Sequence, residues 1–298
     1  MRIGYPNINW TIGCKGDQRF RLSSYSEERM RATIQNNLDC LERMLSWNVA
    51  HEILFFRIHA DLIPFATHPI CTFPWQDEFQ KTFAEIGTFL LEHRIRISTH
   101  PSQFILINAQ EERIARNSIR ELDYHANLFQ LLGSGKDAKI QIHVGGVYGD
   151  REASMRRFID RYDQLGEGTR AHLVIENDED RFLVADCLEI HDQTGIPVIL
   201  DVFHHGHNNR GETVHEALSQ VGRTWRGYDG LPMVDYSSQA PGRRQGVHAE
   251  SIDLEDFREF LKISRPHDFD LMLEIRDKEA SALKAVAAAK EDPRFVGS

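Results

Sequence analysis

Eight short apolar runs alternate with longer segments of helical periodicity along this chain, and that alternation limits its fold more than any other feature. The runs are "RIGYPNI", "EILFFRIH", "RIRISTH", "KIQIHVGG", "HLVIEND", "PVILDVFHH", "PMVDYSS" and "FDLMLEIR". Nearly continuous apolar runs suit strands covered on both faces, as in a parallel sheet. Between the first two runs, Met30, Ile34, Leu38, Leu41 and Leu45 recur at helical spacing, which predicts a helix from about Glu27 to Trp47. Ser26 is its expected N-cap, and Glu27 and Glu28 complement the helix dipole. Further helices are predicted over 77–93, 113–132, 151–165, 184–195 (closed by Gly195), Glu212 to about Trp225, 253–263 and the Ala-rich 277–290. Eight β-α units in 298 residues predict an α/β chain folded as a single (β/α)8 TIM barrel, one domain over 1–298. An open doubly wound sheet is the alternative, but no G-x-G-x-x-G follows the first run. The longest connection, "NWTIGCKGDQRFRLSSYS", follows strand one and so lies at the C-terminal mouth, where barrels carry their active sites.

Composition narrows the class. Hydrophobic content of 41% and charged content of 27% describe a globular protein, and no apolar run reaches the roughly 20 residues of a membrane helix. The N-terminus reads as a strand rather than a secretory signal, so a cytoplasmic protein is expected. Cys14, Cys40, Cys71 and Cys187 form no C-x-x-C pair; reduced thiols are expected, with Cys40 and Cys187 on buried helix faces. The net charge of −10 argues against a nucleic-acid partner, unless acidic residues hold metal ions that reverse the local charge.

The ends of the runs supply that exception. Strand two leads into His59 and His68, which compete for one loop. Strand three ends in His100, strand four in His143 and strand five in Glu176. Strand six delivers Asp201 and His204, strand seven Asp235 with His248 in the loop beyond, and strand eight Glu274. Each alone reads as a hydrogen-bonded strand end or a turn residue. Glu176 and Glu274 are less easily explained, because each closes a strongly apolar run and ionised carboxylates are rarely buried without a partner. A barrel brings all these ends to one mouth, where so many carboxylates would repel without cations among them. Imidazole with carboxylate suits zinc, manganese or iron. Nine ligands exceed the coordination of one ion, so two or three are expected, an arrangement that stabilises both oxygens of phosphodiester cleavage.

The order of the motifs "RIHADLIPFATHP", "STHPSQF", "IQIHVGG", "VIEND", "LDVFHH", "GVHAE" and "LMLEIRDKE" resembles the ultraviolet damage endonucleases, barrels related to endonuclease IV. The resemblance covers nearly the whole chain. It implies an enzyme that nicks double-stranded DNA 5′ to pyrimidine dimers and 6-4 photoproducts; a monomer is expected, and a phosphate that must reach metals inside the mouth calls for nucleotides flipped out of the stack. It implies manganese, with zinc as the other choice, and no organic cofactor or membrane. The implied ligands are His68, His100, His143, Glu176, Asp201, His204, Asp235, His248 and Glu274, with Glu176, His143 and Glu274 catalytic. The damage-probing pair maps to Gln103 and Phe104, and two residues facing the damaged strand map to Tyr5 and Asn9. Lys15, Arg19, Arg21, Arg243, Arg244, Arg276 and Lys278 are candidate phosphate contacts. The chain departs from the family pattern in three respects: Phe104 replaces a tyrosine, strand seven has Met233 and Asp235 where some members carry a lysine and a histidine, and the net charge of −10 is unusually negative for a DNA enzyme. An apurinic-site endonuclease is the closest alternative, and a metal-dependent sugar isomerase or epimerase a more distant one.

Overall fold

The structure, a computed structural model, describes residues 1–297. Eight parallel strands close into a barrel in sequence order: β1 (Ile3–Pro6), β2 (Phe55–Ile58), β3 (Arg96–Thr99), β4 (Lys139–His143), β5 (Leu173–Glu176), β6 (Val198–Asp201), β7 (Met233–Tyr236) and β8 (Asp270–Leu273). Each is followed by a principal helix: α1 (Glu27–Ala50), α2 (Gln80–Glu92), α3 (Glu112–Leu131), α4 (Arg151–Tyr162), α5 (Val184–Thr194), α6 (Val214–Gly222), α7 (Leu254–Ile263) and α8 (Glu279–Ala289). The expected barrel is therefore the observed one. Its caps follow from local chemistry: Ser26 Oγ accepts from the Arg29 amide, and Gly195 ends α5 at φ 74°.

Side chains two apart on a strand share a face, and this periodicity builds the interior in layers. Phe55, Val174, Ile199, Met233 and Met272 form one apolar layer, joined by Trp225. Two residues further along the same strands stand Arg57, Glu176, Asp201, Asp235 and Glu274. The site is thus the next storey of the barrel core. The opposite end is closed by paired charges: Arg96 bonds Asp270 at 2.9 Å, and Lys139 bonds Asp229 at 2.6 Å. Gly4 lets β1 and β2 approach, since a Cβ there would lie 2.1 Å from the Phe55 carbonyl oxygen.

Several local expectations need correction. The sixth strand does not continue to His205. It ends at Asp201, whose carboxylate accepts from the His204 amide at 2.8 Å and starts a helical turn over Val202–His205. The second predicted helix is split at Phe79, after a turn over Trp75–Glu78. The sixth helix begins later than Glu212, because Thr213 and Glu216 form a reciprocal capping box. Cys14 and Cys40 are joined in a disulfide rather than standing as reduced thiols, with Cα atoms 5.8 Å apart. The long first loop runs back along α1, held by Asn36 Nδ2 donating to the Lys15 carbonyl at 3.0 Å and the Gln18 amide donating to Asn37 at 2.9 Å. That folding brings together two cysteines 26 positions apart in sequence. Cys40 and Cys187 are buried on their helices, as expected.

Candidate metal centre at the barrel mouth

Strand register decides which site residues are neighbours. His143 lies opposite Glu176 across β4 and β5, and Asp201 opposite Asp235 across β6 and β7. Ligand atoms gather in three overlapping groups: His100, His143 and Glu176; Glu176, Asp201 and His204; and Asp201, Asp235 and Glu274. Seven of the nine sequence-derived ligands therefore converge. His248 lines the adjoining cavity of about 380 Å³ with Arg57, His100, Glu274, Arg276 and Lys278. His68 does not join the groups. It is exposed in the loop after β2, where its Nδ1 accepts from the Ile70 amide at 3.1 Å and its ring meets Phe65.

Three of the imidazoles set Nδ1 against a backbone carbonyl, whereas the buried Nδ1 of His143 has no partner among the described residues. His100 Nδ1 lies 3.0 Å from the Pro101 carbonyl, His204 Nδ1 3.2 Å from that of Asn177, and His248 Nδ1 2.8 Å from that of Glu274. Donation of Nδ1–H to these carbonyls would leave each Nε2 free to bind a metal once its proton is displaced. His100 Nε2 and His143 Nε2 stand 2.7 and 3.4 Å from one oxygen, Glu176 Oε1. This buried oxygen has no well-directed hydrogen bond. Two ligands bound at about 2.1 Å to one ion are roughly 3.0–3.4 Å apart, so the His143–Glu176 spacing fits a shared metal, whereas His100 stands at ion-pair distance and would move back slightly to share it. The other Glu176 oxygen accepts from Gln141 Nε2 at 2.8 Å.

Burial and charge oppose each other here. Burial pushes the Glu176 carboxyl up, but His143, His100 and His204 together hold it far below the usual range. Burial likewise raises Glu274, and Arg57 reverses this, holding it at about 2. Asp235 stays raised, to about 7, because burial together with Glu274 and Glu176 outweighs Arg57. His204 is raised to about 9 by Asp201 and Glu176 against its burial. Burial raises Asp201 as well, so Asp201 and Asp235 are the carboxylates that further positive charge would ionise.

Two residues in the centre lay outside the sequence reading. Arg57 donates from Nη2 to Asp235 Oδ1 and Oδ2 at 3.0 and 2.9 Å, and from Nη1 to Glu274. Gln141 accepts from Arg57 Nη2 at 2.7 Å and donates to both Glu176 and Asp235. A charged residue inside the run "FFRI" is the signal that points to Arg57; nothing local singles out Gln141.

The rim is partly as expected. Gln103 is exposed and Phe104 is 73% exposed, so the ring does not fold back into the core. A cavity of about 300 Å³ connects both to His143. Their loop is tied to the end of β4 by Asn108, whose Oδ1 accepts from Gly146 at 3.2 Å; Gly145, at φ 118°, leaves room for that side chain. Tyr5 and Asn9 correct the expectation of a DNA-facing pair. Tyr5 is 0% and Asn9 1% exposed, with the Tyr5 hydroxyl donating to Asn48 at 2.7 Å and accepting from Asn9 at 2.9 Å. Asn9 Oδ1 then accepts from the Thr11 amide, so the pair shapes the first loop from beneath. Lys15, Arg21, Arg243, Arg244 and Arg276 are exposed, whereas Arg19 is paired with Asp61 at 3.0 Å.

A (β/α)8 barrel with imidazoles and carboxylates converging at its C-terminal mouth defines a barrel enzyme with a candidate metal centre. Residues 17–292 match the family model described as UV-endonuclease UvdE, and the chain belongs to that family. It is 35% identical over 300 residues to a UV DNA damage endonuclease of Clostridium perfringens, covering 100% of this chain and 73% of the relative. The crystal structure of SacUVDE superposes with a TM-score of 0.93 at 47% identity, covering 98% of each chain. Endonuclease IV from Thermus thermophilus shares the fold, with a TM-score of 0.59 at 19% identity over 85% of this chain and 95% of that one. The protein is accordingly a UV-damage repair endonuclease, a DNA-cleaving hydrolase.

Proposed function

We propose that the chain cuts double-stranded DNA 5′ to pyrimidine dimers and 6-4 photoproducts, using two to three divalent ions, manganese first and zinc second. The observation that carries this reading is Glu176 Oε1, a buried oxygen without a directed hydrogen bond that faces the Nε2 atoms of His100 and His143. When bound, such ions lower the pKa of water and stabilise the attacking and leaving oxygens. His100, His143 and Glu176 would hold one ion, and Glu176, Asp201 and His204 would hold the next. Asp235, Glu274 and His248 lie beside these positions, with Glu176, His143 and Glu274 nearest the chemistry. Lys278 and Arg276 face the cavity that would receive the scissile phosphate. Gln103 and Phe104 enter the stack that the flipped nucleotides vacate, which a poorly stacked photoproduct makes less costly. Lys15, Arg243 and Arg244 hold the flanking backbone, while Tyr5 and Asn9 support the first loop. The chain acts as a cytoplasmic monomer of one domain.

A nicking assay tests this directly. With manganese, irradiated plasmid should be nicked and unirradiated plasmid spared; equal nicking of both would refute lesion specificity. Parallel oligonucleotides carrying a dimer, a 6-4 photoproduct or an abasic site separate this reading from an apurinic-site endonuclease. Phe104→Ala should lower nicking of damaged duplex about tenfold more than nicking of a substrate already unpaired opposite the lesion.

A further inference from the structure

We infer that Arg57 is a built-in cation of the centre, and that the chain consequently binds two divalent ions rather than three. The inference rests on the metal reading above and fixes its stoichiometry.

Of the three groups of ligand atoms, only two are free to coordinate. Glu176 Oε1 faces His100 and His143, and a ligand atom of His204 lies with those of Glu176 and Asp201 in the second group, where no arginine or lysine among the described residues is paired with Asp201. The third group, Asp201, Asp235 and Glu274, is already engaged by the guanidinium. Both oxygens of Asp235 accept from Arg57, and Oδ2 accepts in addition from Gln141 at 2.6 Å. Gln141 cannot swing away freely, because Glu176 and Arg57 hold its other contacts. Arg57 is 2% exposed and Asp235 fully buried, so water does not compete for this pair. Beneath Asp235 on the same face stands Met233, in the apolar layer, which adds no oxygen or nitrogen donor. An arginine remains protonated under all working conditions, so its charge is permanent.

Charge balance points the same way. Once ions are bound and all four are ionised, Glu176, Asp201, Asp235 and Glu274 carry four negative charges, and a phosphodiester adds a fifth. Two divalent ions with Arg57 supply five positive charges among the ligand groups, before Arg276 and Lys278 at the cavity rim are added. A third ion would leave a buried site with two charges in excess, an arrangement that low dielectric penalises heavily.

Metal counting decides the matter without reference to activity. Protein stripped with chelator, reloaded by equilibrium dialysis against manganese and analysed by plasma mass spectrometry should hold two ions per chain. Three would overturn the inference while leaving the metal reading intact; none would remove the metal reading itself. Asp235→Asn should still bind two, because its partner is Arg57, whereas Asp201→Asn should lose one. A loss of one ion on Asp235→Asn, with the circular dichroism spectrum of the folded barrel retained, would also overturn it. Arg57→Gln frees Asp235 and Glu274 and should raise the count towards three. If that variant does not fold, the counts for wild type and Asp235→Asn still decide.

Discussion

Individual residues in this barrel answer to burial first and to partners second. His125 on α3 is fully buried, and neither ring nitrogen has a hydrogen-bond partner. Burial pushes its pKa down from 6.5 to about 3, with the charges of His100 and His59 adding to the effect. The unfolded chain takes up this proton below about pH 6.5, and the folded chain not until about pH 3. The contribution to stability is therefore complete above pH 6.5 and declines as pH falls towards 3. Urea unfolding at pH 6, 5 and 4 should show His125→Phe with a shallower loss of stability than wild type, by up to about 1.4 kcal/mol per pH unit. Equal slopes for the two proteins would show that His125 titrates normally. Arg57 obeys the same logic with the opposite result, since two carboxylates and an amide compensate its burial.

At the scale of elements, the strands carry both the fold and the site. Close approach of β1 to β2 needs a residue without a side chain, and Gly4 provides it. Gly4→Ala would drive a methyl group to 2.1 Å from the Phe55 carbonyl oxygen, so the strands must part. Chemical denaturation should show a loss of about 3 kcal/mol, and an unchanged midpoint would mean that the barrel absorbs the methyl group without cost. The strand ends were legible in sequence because polar residues there interrupt apolar runs at a period of two. His100, His143, Glu176, Asp201, His204, Asp235 and Glu274 were found by that signal, and the barrel brings them together. His68 was not decided by it, because a loop without periodicity sets its direction. Tyr5 was misjudged for a related reason: a strand position predicts alternation between faces but not which neighbour covers the hydroxyl, here Asn48. Gln141 and the Cys14–Cys40 bridge left no sequence signal, since both depend on partners 26 or more positions away.

Across the whole molecule, charge is unevenly distributed. The net charge is −10, yet Lys15, Arg21, Arg243, Arg244 and Arg276 are exposed and have no carboxylate within ion-pair distance among the described residues. Binding of irradiated duplex should weaken steeply with salt, and the Arg243→Ala, Arg244→Ala double variant should lower the logarithmic slope by about two. An unchanged slope would place the DNA elsewhere. None of the helices is long and apolar enough to cross a membrane among the described residues. Sequence alone determined the barrel and most of the polar groups that converge at its C-terminal mouth, because strand periodicity and closure leave few other arrangements for eight such units. Tertiary structure decided how those groups divide the work. It set Arg57 between Asp235 and Glu274, left Glu176 Oε1 open to two imidazoles, and put Phe104 outside and Tyr5 inside. Those outcomes depend on distances between residues from different strands and loops, which only a closed barrel brings within reach.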